Sequence, residues 1–161
     1  MSLLLDNEFH HRIDLFEPGD KTALVCIDVP EVQRLAVENL TEIDYKIHTG
    51  LFLEDILLKL QTHTYDVVIV AEHFNASTRE TNPILEASKI FPGAQRRAQM
   101  LVLVGSGVHT DSEMEAWAAS VDLVVSLADV PNLKHVVRRA VIRRDAFYGP
   151  LISAYQTAGH S

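Results

Sequence analysis

The stretch YDVVIVAEHFN, residues 65–75, decides the fold. From Asp66 to Ala71 it runs apolar and β-branched with no alternation, the pattern of a strand covered on both faces. It then breaks into polar residues at Glu72 and His73. Strands of this kind belong to parallel sheets, whose ligands sit outside the carboxyl ends of the strands. What stands at 71–73 therefore bears directly on what the chain does.

Working outward, TALVCID (22–28), YKIHT (45–49), QMLVLVG (99–105) and VDLVVSL (121–127) read as four more strands. Helical spacing fills the gaps. Pro30 opens a helix with Val32, Leu35, Ala36 and Leu40 on one face, and Leu53, Ile56, Leu57 and Leu60 make the next stripe. Pro83 starts a helix expected to reach Ile90, after which Pro92-Gly93 interrupts. Thr110 or Asp111 is the expected N-cap of a helix carrying Met114, Trp117 and Ala118. Leu133, Val136, Val137, Ala140 and Val141 give the last of the set. Alternating βα units predict a flavodoxin-like, doubly wound α/β domain with a five-stranded parallel sheet. Its central strands should be 22–28, 66–71 and 99–105. The expected division is an N-terminal lead (1–20), the domain (21–144) and a C-terminal helical extension (145–161).

The totals agree with one globular domain: 161 residues, 47% hydrophobic and 22% charged. No apolar run approaches the ~20 residues of a membrane span, and MSLLL lacks the positive start of a secretory signal. Cys26 is the single cysteine, so a reducing, cytoplasmic setting is expected and cysteine-built zinc sites are excluded. The net charge of −8 is uneven: residues 1–90 hold sixteen acids and seven bases, residues 91–161 six and seven. An acidic body argues against nucleic-acid binding. The exception is LKHVVRRAVIRR, with Lys134, Arg138, Arg139, Arg143 and Arg144, read first as a solvated helix face.

In element order, strand length and loop placement, residues 21–144 resemble the receiver domain of bacterial response regulators. That resemblance implies a Mg²⁺-binding acid pair after the first strand, a phospho-acceptor aspartate ending the third, a hydroxyl ending the fourth and a lysine ending the fifth. Laid on this chain, one acid is Asp28 beside Ile27, the acceptor position is Ala71, the hydroxyl position is Gly105 with Ser106 next, and the lysine position is Ser126. Leu127 follows where proline is usual, and Leu123 takes the place of the switch aromatic. The expectation is a vestigial phosphorylation site. Acyl-phosphate chemistry needs a carboxylate nucleophile and cationic clamps, and Glu72, one step on, turns to the opposite face. TALVC and AFY also resemble receiver-like modules that follow a zinc ribbon in some bacterial proteins, which would make this chain a fragment or a shortened relative. ALVCIDVPEVQ is similar to the opening of isochorismatase-like hydrolases, but their cysteine nucleophile lies on a later turn and Cys26 lies inside the first strand.

Other candidates are weighed on chemistry. Glu72, His73, Ser106 and His109 follow strand ends and form a possible ligand edge; His73 and His109 with Glu72 or Asp111 have the composition of a His₂-carboxylate site. His10-His11 are adjacent and diverge. GSGVHTD is an incomplete glycine loop. In the tail, Phe147, Tyr148, Leu151, Ile152 and Tyr155 form an apolar stripe, with Gly149-Pro150 expected to kink or delay it. Trp117, Arg138, Arg139, Phe147 and Tyr148 are the expected interaction face. The sequence thus predicts a non-enzymatic regulatory module without cofactor or metal, contacting a protein partner or a second copy. The alternative is a small-ligand or metal-binding protein using the strand-end crevice.

Overall fold

A computed structural model describes residues 16–50, 52–78 and 80–159, the stretch after Phe147 as backbone only. The lead histidines His10 and His11 lie outside the described residues, as does the side chain of Tyr148. Five strands form one parallel sheet: β1 (Lys21–Cys26), β2 (Tyr45–Thr49), β3 (Val67–Ala71), β4 (Met100–Gly105) and β5 (Leu123–Ser126). Their order is β2-β1-β3-β4-β5, so the three driest runs take the centre. The described α-helices are α1 (Pro30–Glu42), α2 (Leu53–Thr62), α3 (Pro83–Ser88), α4 (Gly93–Ala98), α5 (Glu113–Ala119) and α6 (Leu133–Gly159).

Two cores flank the sheet because strand residues alternate between faces. Ala23, Val25, Ile69, Val102 and Val125 pack under α1 and α6, with Ala36, Leu40, Leu133 and Val137. Leu24, Val68, Leu103 and Val124 face the other way, toward Ile56, Leu60, Ile84 and Ala116. Two aspartates start strands by the same device. Asp66, just before β3, accepts the Thr22 N–H of β1 at 2.8 Å, and Asp122, just before β5, accepts the Leu101 N–H of β4 at 2.8 Å. Each satisfies a backbone donor at the sheet margin.

Several boundaries differ from the sequence reading. β1 ends at Cys26, leaving Ile27 and Asp28 in the following loop. α3 stops at Ser88, and Pro92-Gly93 opens the extra helix α4 instead of merely breaking the chain, with Pro92 as its N-cap; a cap lies outside the helix's own hydrogen-bond ladder, so proline's missing N–H is no loss there. Ser112, not Thr110 or Asp111, caps α5 by accepting the Glu115 N–H. Asp111 is unavailable because its backbone is left-handed, φ 67°. The interruption expected at Gly149-Pro150 is absent, since α6 runs unbroken from Leu133 to Gly159. Proline's fixed φ is itself helical, so the backbone can pass through it at the loss of one hydrogen bond.

Candidate functional site

The carboxyl ends of β1, β3, β4 and β5 stand side by side. Ala71 pairs with Val104, and Gly105 with Ser126. The Glu72 N–H continues the ladder, donating to the Val104 carbonyl at 2.8 Å. Glu72 therefore shares a level and a face with Gly105, opposite to that of Ala71.

Glu72 is the unexpected feature of this edge. It is only 5% exposed, and it lies directly over Gly105. A Cβ added at 105 would stand 2.7 Å from Glu72 Oε1 and 2.8 Å from Glu72 Cβ. The second contact involves an atom fixed to the backbone, so no rotamer change relieves it. Gly105 thus makes room for Glu72: the absence of a side chain on β4 and the carboxylate after β3 are two halves of one packing solution. His73 places Nε2 3.3 Å from Glu72 Oε1 while its Nδ1 meets the Ser77 carbonyl at 3.0 Å.

The remaining groups bind backbone along the edge. Asp28 accepts the Asn75 N–H at 2.9 Å, holding a residue at φ 59° that asparagine tolerates better than most. Asn82 is fully buried. Its Nδ2 donates to the carbonyls of Ala71 and Glu72 at 2.9 and 3.2 Å, and its Oδ1 accepts the N–H groups of Ile84 and Leu85 at the start of α3. One side chain so joins the end of β3 to the next helix. The Ser126 hydroxyl accepts the Ala128 N–H and begins the 3₁₀ turn Leu127–Asn132. Thr110 Oγ1 receives the Ser126 N–H and donates to Asp129.

The two histidines proposed to share a ligand do not meet through a common carboxylate. His109 Nδ1 lies 2.7 Å from Glu115 Oε1, and its N–H is bound by the same carboxylate, whereas His73 sits beside Glu72. Ser106 is exposed. Among the described residues no three His, Cys, Asp or Glu side chains group to hold a metal ion. Cys26 lies fully buried inside β1, and burial pushes its thiol far above the ordinary range. A thiol kept protonated there is a packing group, not a nucleophile.

The other face with chemical character lies along β5, between α5 and α6. Trp117 and Met114 on α5 are 85% and 84% exposed, and Phe147 on α6 is 74% exposed. Asp111, in the loop before α5, is met by Arg139 and by Arg143 at 3.2 Å. Asp122 is met by Arg96 at 2.8 Å, with Arg144 at 3.8 Å. The two Asp111 pairs, whose arginines are more than half exposed, contribute at most about 1 kcal/mol each, so they position charges more than they stabilise the fold. Arg138 falls elsewhere. It is one turn on from Lys134, which reaches Glu42 of α1, and so lies on the flank of α6 away from Arg139 and Arg143.

Parallel order β2-β1-β3-β4-β5 with helices on both faces defines the class: the chain has the fold of response-regulator receiver domains. It is similar over 76% of its length, and 98% of the other chain, to the receiver domain of a DNA-binding response regulator from Colwellia psychrerythraea 34H, at TM-score 0.59 and 17% identity. An orphan response regulator of H. pylori matches 77% of this chain and 98% of its own, at TM-score 0.56 and 13% identity. A chemotaxis response regulator of Vibrio cholerae matches 73% and 98%, at TM-score 0.54 and 15% identity. No protein-family model matches the sequence, and no curated protein matches it significantly.

Sequence reasoning placed Asp28, Ala71, Gly105 and Ser126 at the strand ends but missed Asn82 and the role of Glu72. The signal for Asn82 was legible: an asparagine directly before a helix-opening proline is a cap. The signal for Glu72 was not, because its consequence depends on a residue 33 positions away.

Proposed function

We propose that this chain is a receiver-type regulatory module that acts through protein contacts and takes no phosphoryl group. The observation that carries the reading is Glu72 lodged over Gly105, with Ala71 at the strand end. Forming an acyl phosphate needs a carboxylate nucleophile, and Ala71 has none. Stabilising it needs cationic or metal clamps. Ser126 supplies no cation, and Asp28 is engaged by the Asn75 N–H. Glu72 itself is enclosed, and small misplacements of a reacting group are costly. The module is on this reading not an enzyme. The exposed Trp117 and Met114 support the contact role, since tryptophan is the residue type most enriched where interfaces concentrate their binding energy.

Incubation with acetyl phosphate and Mg²⁺, followed by intact mass measurement, tests it. The expected mass is unchanged. A stable gain of one phosphoryl group would show a live receiver and overturn the reading.

A further inference from the structure

We propose that the outer edge of β2 is a docking surface for the chain's own N-terminal lead, with residues 9–15 lying along it as an added antiparallel strand. This goes beyond the regulatory reading above and does not depend on it. Among the described residues β2 is the outermost strand on its side of the sheet, with β1 as its neighbour. The Gly50 N–H donates to the Val25 carbonyl at 3.2 Å, and a parallel ladder turns alternate residues toward one neighbour. Lys46, His48 and Gly50 therefore direct their backbone groups to β1, while Tyr45, Ile47 and Thr49 direct theirs outward. Lys59 reaches this outer side, donating to the Thr49 carbonyl at 3.0 Å. An outward row of N–H and C=O groups is a template for another strand.

The path of the chain leads to this edge. Glu17–Asp20 form a tight turn, the Asp20 N–H donating to the Glu17 carbonyl at 3.1 Å. Pro18 and Gly19 are its central residues, and Gly19 has φ 90°, the type II arrangement. The turn reverses the chain just before β1, so what precedes Glu17 heads antiparallel to β1 and hence to β2. Lys46 of β2 holds the turn through Asp20 at 3.0 Å. Phe16 then stacks on His48 of β2, with ring centroids 4.3 Å apart and planes at 20°. It meets His63 and Tyr65 edge-on at 5.7 and 6.2 Å. His48 is buried, with Nδ1 2.6 Å from the Tyr65 hydroxyl, so Phe16 lies on a fixed seat. The chain thus passes into the lead from the β2 side of the sheet.

The lead has the composition for the role. In FHHRIDL, residues 9–15, Phe9, Ile13 and Leu15 fall on one parity and His10, Arg12 and Asp14 on the other, the alternation of a half-buried strand. These seven residues extend about 23 Å, enough to follow the five of β2 over about 17 Å. Anchorage at Phe16 gives the segment a high effective concentration at the edge. The β2 strand of a second copy lacks that tether, and the exposed Lys46 on each copy opposes edge-to-edge pairing.

Amide hydrogen exchange on the full chain tests this. The outward N–H groups of Ile47 and Thr49 should be protected, to the same degree at every protein concentration. Ile13→Asp combined with Leu15→Asp removes the apolar parity of the lead and should speed their exchange about tenfold or more. The Val102 N–H of β4, central in the sheet, should stay as slow as before, which shows that the variant folds. Ile13→Val combined with Leu15→Ile keeps the alternation and should keep the protection. Unprotected Ile47 and Thr49 amides in the unchanged chain, or protection that the two aspartates leave untouched, would overturn the proposal. Protection that falls on dilution would overturn it too, because a second copy would then be supplying the strand.

Discussion

The carboxyl edge of the sheet and the β5 flank are built from similar residue types and do opposite things with them. At the edge, Glu72 and Asn82 are buried, Asn82 bonded to the end of β3 and Glu72 lying over Gly105, while the exposed Asp28 accepts the Asn75 N–H. Along β5, charged groups are held in exposed, shared pairs, beside Trp117 and Met114 standing almost free in solvent. Buried polar groups with a full set of partners fix a structure. Exposed aromatic and charged groups, which add little to stability, are available to something else. The difference teaches that a receiver fold can fill part of its strand-end edge with its own buried side chains while large apolar side chains stay exposed on another face.

Four substitutions probe that contrast, in order of expected effect. Asn82→Ala should be the most damaging. It strands two helix-start N–H groups and removes the donors that satisfy the carbonyls of Ala71 and Glu72, which should lower stability by about 3 kcal/mol in a urea titration. A change below about 1 kcal/mol would mean the edge is not held by this residue. Gly105→Ala comes next, at about 2 kcal/mol, because overpacking against a fixed Cβ must move backbone. Asp28→Ala should cost about 0.5–1 kcal/mol, the worth of one solvent-screened charged hydrogen bond. Trp117→Ala should change stability by less than about 0.5 kcal/mol in the same titration, because the indole is almost wholly exposed. A large stability loss there would place Trp117 in the fold and blur the distinction between the two regions.

Most of the fold was legible because it follows from short-range pattern. The β-branched runs at 67–71 and 100–104, Pro30 and Pro83 at helix starts, and the regular alternation of elements suffice for a doubly wound sheet. The misses have local physical causes. Asp111 looked like a cap but takes a left-handed backbone, leaving the cap to Ser112. Pro150 looked like a break but sits inside a continuing helix. At the strand ends, the sequence shows Ala71, Gly105 and Ser126 but not what lies over them. That Glu72 lies over Gly105 depends on the register of β3 against β4, a long-range fact that no window of sequence contains. The β5 flank was half legible: Trp117, Arg139 and Phe147 were singled out, but the helical phase that sends Arg138 toward α1 became clear only once Lys134 was seen on Glu42.

The closure of the strand-end edge by Glu72 is the centre of this account, and a double-mutant cycle between positions 72 and 105 measures it most directly. Gly105→Ala should cost about 2 kcal/mol with Glu72 present and nearly nothing once Glu72→Gly has removed both the carboxylate and its Cβ. Strictly additive losses would contradict the account, because Gly105 would then be needed for some reason other than the side chain lying over it.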